Sequence, residues 1–185
     1  MRRSALLVVL LAALLAPPRA EAMVYVPVDL PTLVADARAI VVGRVAVVAP
    51  RWTDGRRGIE TLVTIEVAES WKGGAVREVT VALPGGQIGR YRTVMPGVPR
   101  LAEGDEVVLF IAGHGAELPH VVGLGQGVFR VMTDRATGVR FVVPEVVSAP
   151  GAAGVPVSRG DPSRRPARLE AFADEIRRLA SGAAR

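Results

Sequence analysis

Apolar and polar residues alternate along two consecutive segments in the first half of the chain. In IETLVTIEVAESWKG (residues 59–73), every second residue from 61 to 67 falls on one face: Thr61, Val63, Ile65 and Val67. In VREVTVALPG (residues 76–85), Val79, Val81 and Leu83 share a face in the same way. Successive side chains of a strand point to opposite faces, so a period of two predicts two strands that each bury one face.

Four further segments are rich in β-branched and apolar residues. IVVGRVAVV (residues 40–48) predicts a strand that bends at Gly43, because glycine inside a strand marks a bend or bulge. DEVVLFIAG is apolar without interruption from Val107 to Ala112, which predicts a central strand covered on both faces. HVVGLGQGVFRVMT (residues 120–133) predicts one long strand, or two strands broken at the glycines, and VRFVVPEVV (residues 139–147) predicts the last strand.

These segments amount to six or seven strands with turn signals between them and no alternating helices. That order predicts an all-β fold, a barrel or a sandwich, over residues 23–147. A short helical turn is predicted near its start, where Asp29 is a suitable N-cap and Pro31 falls in the first turn. Residues 148–165 have the composition of a linker.

The last segment, residues 166–182, predicts an amphipathic helix. Leu169, Phe172, Ile176 and Leu179 recur at spacings of three and four, which places them on one face. A helix this short is marginal in water on its own. We therefore expect it to pack back on the barrel, with packing on a partner as the alternative.

The first 22 residues have the pattern of a secretory signal. Arg2 and Arg3 precede the apolar run Ala5 to Ala16, and AEA (residues 20–22) supplies small residues for cleavage before Met23. The apolar run is too short to cross a bilayer, and we expect no membrane span after cleavage. The sequence therefore predicts an exported protein, periplasmic or secreted.

The amino-acid composition excludes several kinds of site and partner. The chain has no cysteine, which excludes disulfides, thiol nucleophiles and cysteine-ligated zinc. The net charge is +5, but basic residues are dispersed among acids without a single-sign stripe, so no nucleic-acid binding is expected. No Gly-x-Ser-x-Gly motif is present, no catalytic residue is assigned and no cofactor is expected.

One long connection, PGGQIGRYRTVMPGVPRLAEGD (residues 84–105), separates two predicted strands. It lacks the Lys-Ser or Lys-Thr pair and the following helix that a phosphate-binding loop needs. We expect about 17 residues without secondary structure, and such long loops are usually functional or mobile. Arg90, Tyr91 and Arg92 are either anchors for a partner or part of a lid folded over one end of the barrel.

A second loop, AGHGAELPH, offers the only candidate metal ligands. His114, Glu117 and His120 are the residue types of a two-His, one-Glu zinc site. Glycine and proline break the helical spacing, so a polar surface loop that binds no metal is the expected interpretation.

Four phrases along residues 30–143 resemble a known family. They are ADARAIVVGRV, GIETLVTIEVAESWKG, VTVALPGGQIGRYRTVMPGVPRLAEGDEVVLF and VVGLGQGVFRV. They resemble exported bacterial proteins similar to the netrin-like, OB-type barrels, the fold class that also contains the tissue inhibitors of metalloproteinases. The resemblance implies a five-stranded barrel with extra strands and a flanking helix. It does not transfer inhibition, because those inhibitors use a cysteine-tethered N-terminus and this chain has no cysteine.

The sequence supports one leading functional hypothesis and two alternatives. The first is a non-catalytic binding or scaffold module of the bacterial envelope whose partner is a protein or peptide. A metal-dependent hydrolase using the His114 loop is the second, and a protease inhibitor by fold analogy alone is the third.

Overall fold

The computed structural model describes residues 28–113, 118–145 and 165–182, and this part of the chain is mainly β. Its strands are β1 (Ala39–Trp52), β2 (Ile59–Lys72), β3 (Glu78–Pro84), β4 (Gly86–Ile88), β5 (Tyr91–Thr93), β6 (Glu106–Ala112), β7 (His120–Val121), β8 (Val128–Thr133), β9 (Arg140–Pro144) and β10 (Ala167–Arg168). The helices are α1 (Leu30–Asp36) and α2 (Leu169–Gly182), with 3₁₀ turns at Asp54–Arg56 and Leu124–Gly127. The predicted signal and nearly all of the predicted linker lie outside the described residues.

Five strands close into a ring in the order β1-β2-β3-β7-β6, with β6 pairing back to β1. The closing pairs run from Ala39–Ile111 to Arg44–Glu106. Strands β8, β9 and β10 extend the sheet from β6, and β4 and β5 form a separate hairpin. The prediction of a mainly β barrel with a short N-terminal helix and a C-terminal helix is confirmed.

Strand β6 is central, as its apolar run predicts. One edge pairs with β1, and the other pairs with β8 at Val107–Leu109 and with β7 at Ile111–Ala112. Val107 to Phe110 are fully buried and Ile111 is 4% exposed. Its alternating side chains serve two different apolar clusters, one on each face of the sheet.

The first cluster, the barrel core, fills the ring. Its buried members are Val41, Val45, Val63, Ile65, Val81, Leu83, Val107, Leu109, Ile111, Val121 and Val128. The predicted inward residues Val63, Ile65, Val81 and Leu83 all belong to it, whereas Thr61, Val67 and Val79 are half-buried.

The second cluster, the helix-side core, lies between the outer face of the sheet and both helices. Its largest members are Leu30, Leu33, Ile40, Trp71, Phe110, Phe129, Leu169, Phe172 and Ile176. Trp71 and Phe129 both contact Phe172, with ring centroids 6.1 and 4.9 Å apart. The expectation that the C-terminal helix packs back on the barrel is confirmed.

Helix α1 is fixed at both ends by side chains. The Asp29 carboxylate accepts a hydrogen bond from the Thr32 amide at 2.8 Å, which is the predicted N-cap. Lys72, the only lysine of the chain, donates to the Val34 carbonyl at 2.6 Å near the helix's C-terminal end. A cation is favoured there, because the last carbonyls of a helix carry partial negative charge.

Strand β1 bends at Gly43, as predicted. The register with β2 shifts between Val42 and Gly43, and a Cβ atom at Gly43 would lie 2.2 Å from the Glu66 carbonyl oxygen. Beyond Arg44 the strand leaves β6 but continues to pair with β2 as far as Trp52. The β1–β2 pair thus extends past the ring and forms one side of its open end.

One local prediction was wrong. Residues 84–100 are not without secondary structure, because β4 and β5 form a hairpin within them. Of the two alternatives for residues 120–133, two strands broken at the glycines is the one observed: a 3₁₀ turn separates β7 from β8, and Gly123 and Leu124 there have φ of 59° and 56°. Among the described residues, no helix has the length and apolar character needed to span a membrane.

Candidate functional site

The β4–β5 hairpin is anchored at its base by close backbone contacts. Gly85 and Gly86 have φ of 95° and 144°, which turn the chain sharply out of β3. The Thr61 hydroxyl donates to the Gly85 carbonyl at 2.8 Å, and a Cβ atom on Gly86 would lie 2.5 Å from that hydroxyl oxygen. The hairpin therefore lies directly against the extended part of β1 and β2.

Arg90 and Tyr91 form a small aromatic cluster with Trp52. The Tyr91 ring meets Trp52 edge-on with centroids 5.4 Å apart. The Arg90 guanidinium lies 5.0 Å from the Tyr91 ring centre and donates to the Tyr91 hydroxyl at 2.9 Å. Tyr91 nevertheless stays 50% exposed, so half of its surface is open to solvent.

Arg92 takes a different place from its two neighbours. It follows Tyr91 in β5, and successive strand side chains point to opposite faces. Arg92 lines a groove of about 380 Å³ between the hairpin, the end of β1 and residues 94–101. The structure thus divides the three predicted residues between an aromatic cluster and a groove.

This space, which we call the mouth groove, has an apolar floor. The floor consists of Val48, Val63, Leu83, Val98 and Leu101. All five belong to the barrel core or pack against it, so the groove is an opening onto that core. Its volume falls in the range of small-ligand and peptide pockets, about 300–1,000 Å³.

Exposed apolar and basic residues form the rim of the mouth groove. Val94 is 57% exposed and Met95 is 41% exposed, and both line the groove. Arg92 and Arg100 also line it and are exposed to solvent. Sequence reasoning identified Arg92 but missed Val94, Met95 and Arg100. These three residues lie in a stretch whose sequence pattern indicates only a loop between two strands.

Residues 94–101, which include most of the rim, are held in place by hydrogen bonds from the second 3₁₀ turn and from β8. Gly125 donates to the Gly97 carbonyl at 2.7 Å. Arg130 on β8 donates to the Arg100 carbonyl and pairs with Asp105 at 2.7 Å and Glu145 at 2.8 Å. Partial burial lowers the pKa of Arg130, but its bonds to the two carboxylates raise it by more, and the net pKa lies above the ordinary value. The floor and rim are therefore preorganised.

Most carboxylates near the barrel have structural partners. Glu60 pairs with Arg51, Glu106 pairs with Arg140, and Asp105 and Glu145 share Arg130. Among the described residues, the lining of the mouth groove has no acid and no histidine, and its two hydroxyl groups belong to Thr61, which already donates to Gly85, and to Thr93. These side chains suit binding and offer no nucleophile activated by a base.

The predicted metal loop is described only in part. His120 begins β7 and is exposed, while His114 and Glu117 lie outside the described residues. Within residues 28–113, 118–145 and 165–182, no group of three or more acids and histidines is placed to hold a metal ion. The loop's role stays a prediction.

No protein-family model, curated protein or solved structure matches the chain. The resemblance to netrin-like, OB-type barrels therefore stays a prediction. What can be argued about function comes from the geometry of the mouth groove.

Proposed function

We propose that this protein is an exported, non-catalytic binding module of the bacterial envelope that captures a protein or peptide at its mouth groove. The observation that carries the proposal is an apolar groove, open to the barrel core, with a rim of exposed apolar and basic side chains. Export rests on the signal-like pattern of residues 1–22.

The rim has the composition of a recognition surface. Tyrosine, arginine and methionine are enriched in protein interfaces, and buried tyrosine and arginine anchors are typically worth about 2 kcal/mol or more. Arg92 and Met95 supply two of these types at the rim, and Tyr91 lies beside it on the same hairpin. Left exposed, these side chains contribute little to folding, which favours a partner that covers them.

The preorganised backbone around the groove supports the same function. A partner gains affinity when it does not have to order the surface that it binds. The Thr61–Gly85, Gly125–Gly97 and Arg130–Arg100 hydrogen bonds fix both sides of the groove before any partner arrives.

The experiment compares capture of partners from an envelope extract by two matched double variants. Val94→Ser with Met95→Ser alters the rim, and Val76→Ser with Met132→Ser alters two apolar residues of similar exposure elsewhere. We expect the rim variant to lose a partner that the wild-type protein and the control variant both retain. Equal capture by both variants would reject the mouth groove as the binding surface.

A further inference from the structure

The charge of the mouth groove is unbalanced. Among the described residues that line it, Arg92 and Arg100 occur together with no acidic residue. Neither guanidinium forms a salt bridge within the described residues, whereas Arg51, Arg130 and Arg140 are each paired with a carboxylate. A groove with an apolar floor and two arginines at its rim is complementary to a ligand that is apolar and anionic at once.

A strand edge lies beside the same groove. One edge of β1 pairs with β2 from Ile40 to Trp52, with a register shift at Ala46, and the other pairs with β6 only as far as Arg44. Val45 then exchanges hydrogen bonds with Asp105 and Gly104, each 2.8 Å long. Farther along this edge no backbone partner is recorded within residues 28–113, 118–145 and 165–182.

This edge is short as well as open. Pro50 has no N–H group to donate, and the register of β1 shifts at Ala46, so the regular stretch left for an added strand is residues 47–49. Val48 from the same stretch contributes to the groove floor. An extended peptide that pairs with the edge would therefore place an alternate side chain over the floor, as in other β-strand additions.

The C-terminal end of a peptide matches the apolar floor, the two arginines and the open strand edge at the same time. The last residue of a peptide carries an apolar side chain and the terminal carboxylate on one Cα atom, so one residue reaches both the floor and an arginine. We propose that the mouth groove binds the C-terminal residues of an apolar peptide, with the terminal carboxylate at Arg92 and Arg100. This inference rests on the proposed binding function and names the ligand class of that site.

The test is a titration of the ¹⁵N-labelled mature protein followed by NMR. The probes are N-acetyl tetrapeptides with the sequence Ala-Val-Val-X, where X is valine, leucine, methionine or phenylalanine, each with a free C-terminal carboxylate or as its amide. Decanoate is added as an apolar anion that is not a peptide. We expect at least one free acid to shift the amide signals of residues 47–49 and 92–101. Its amide twin should bind about tenfold more weakly or worse, because charge-assisted hydrogen bonds are lost.

Two double variants assign the carboxylate. Arg92→Gln with Arg100→Gln should remove the preference for the free acid over the amide. Arg77→Gln with Arg135→Gln makes the same change of charge at two exposed arginines outside the groove and should keep the preference. Melting temperatures of both variants should match that of the wild-type protein, which separates lost binding from lost folding.

Three outcomes would overturn the inference. They are equal binding of acid and amide, binding of decanoate at the groove without binding of any peptide, and no shift at the groove with any probe. None of them decides the proposed function, which is judged separately by variant-dependent capture of an envelope partner.

Discussion

The outer and inner faces of the barrel sheet are covered differently. On the outer face, Phe110, Phe129, Trp71 and Phe172 form a chain of ring contacts between 4.9 and 6.1 Å, and two helices cover it. On the inner face, the barrel core of aliphatic side chains continues to the mouth and opens into a groove. Strand β6 supplies residues to both, so the difference lies in what covers each face.

The helix-side core stabilises the fold, whereas the mouth groove is the region proposed to bind a partner. The helix-side core is complete within the chain, because α1 and α2 bury its aromatic residues. Among the residues that the structure describes, no helix covers the mouth groove, and its backbone is pinned by Thr61, Gly125 and Arg130. A rigid opening onto a finished core is what a binding module needs, and substitutions on the two sides should therefore have different consequences.

The largest loss of stability is expected on the helix side. Phe172 is 2% exposed and contacts both Trp71 and Phe129, so Phe172→Ala removes a large buried ring from the helix-side core. We expect the free energy of unfolding to fall by about 3–5 kcal/mol. Urea denaturation measures it, and a loss below about 1 kcal/mol would show that α2 does not hold this core together.

The barrel core should come next. Leu109 is fully buried in β6, and Leu109→Ala should cost about 2–5 kcal/mol through lost burial and the cavity left behind. Its neighbour Val108 on the opposite face is a useful comparison, because Val108→Ala probes the helix-side core from the same strand. An unchanged urea midpoint for Leu109→Ala would mean that β6 is not the centre of the barrel.

A smaller effect is expected where the rim is pinned. Arg130→Met keeps an unbranched apolar stem but removes the bonds to Asp105, Glu145 and the Arg100 carbonyl. Arg130 is 32% exposed, so solvent screening limits the cost to about 1–2 kcal/mol. Hydrogen exchange at Val45 and Gly104 should quicken more than at Phe110. Uniform quickening would indicate global destabilisation instead of a loosened rim.

The sequence predicted the parts that depend on local pattern. The continuous run Val107 to Ala112, the cap at Asp29 and the apolar face of α2 each follow from spacing alone, and the structure places them as expected. The β4–β5 hairpin was missed because its strands have three residues each and contain glycine and polar residues. Packing of Gly86 against Thr61 fixes it, and that contact is not visible in a local pattern.

The mouth groove was missed for the same reason. Val48, Leu83 and Leu101 come from three separate segments, and only the closed fold brings them around one space. Arg92 was identified by its place in the RYR stretch, but its separation from Tyr91 depends on the hairpin register Gln87–Arg92. Arg100 carries no local signal, since it is one of many dispersed arginines.

The smallest effect on stability is expected at the exposed side chains of the hairpin. Outside this group of three, the described ring contact is that of Tyr91 with Trp52, and Tyr91 is half exposed. Replacing all three with alanine should lower the free energy of unfolding by no more than about 1 kcal/mol. A large loss would assign these residues to a lid that belongs to the folded core.

The most direct measurement of the central claim is envelope-partner capture by this triple alanine variant, normalised to the amount of folded protein. The account predicts that capture is lost while the melting temperature stays close to that of the wild-type protein. A clear fall in melting temperature with the partner fully retained would contradict it, and would show that the hairpin serves the barrel instead of a partner.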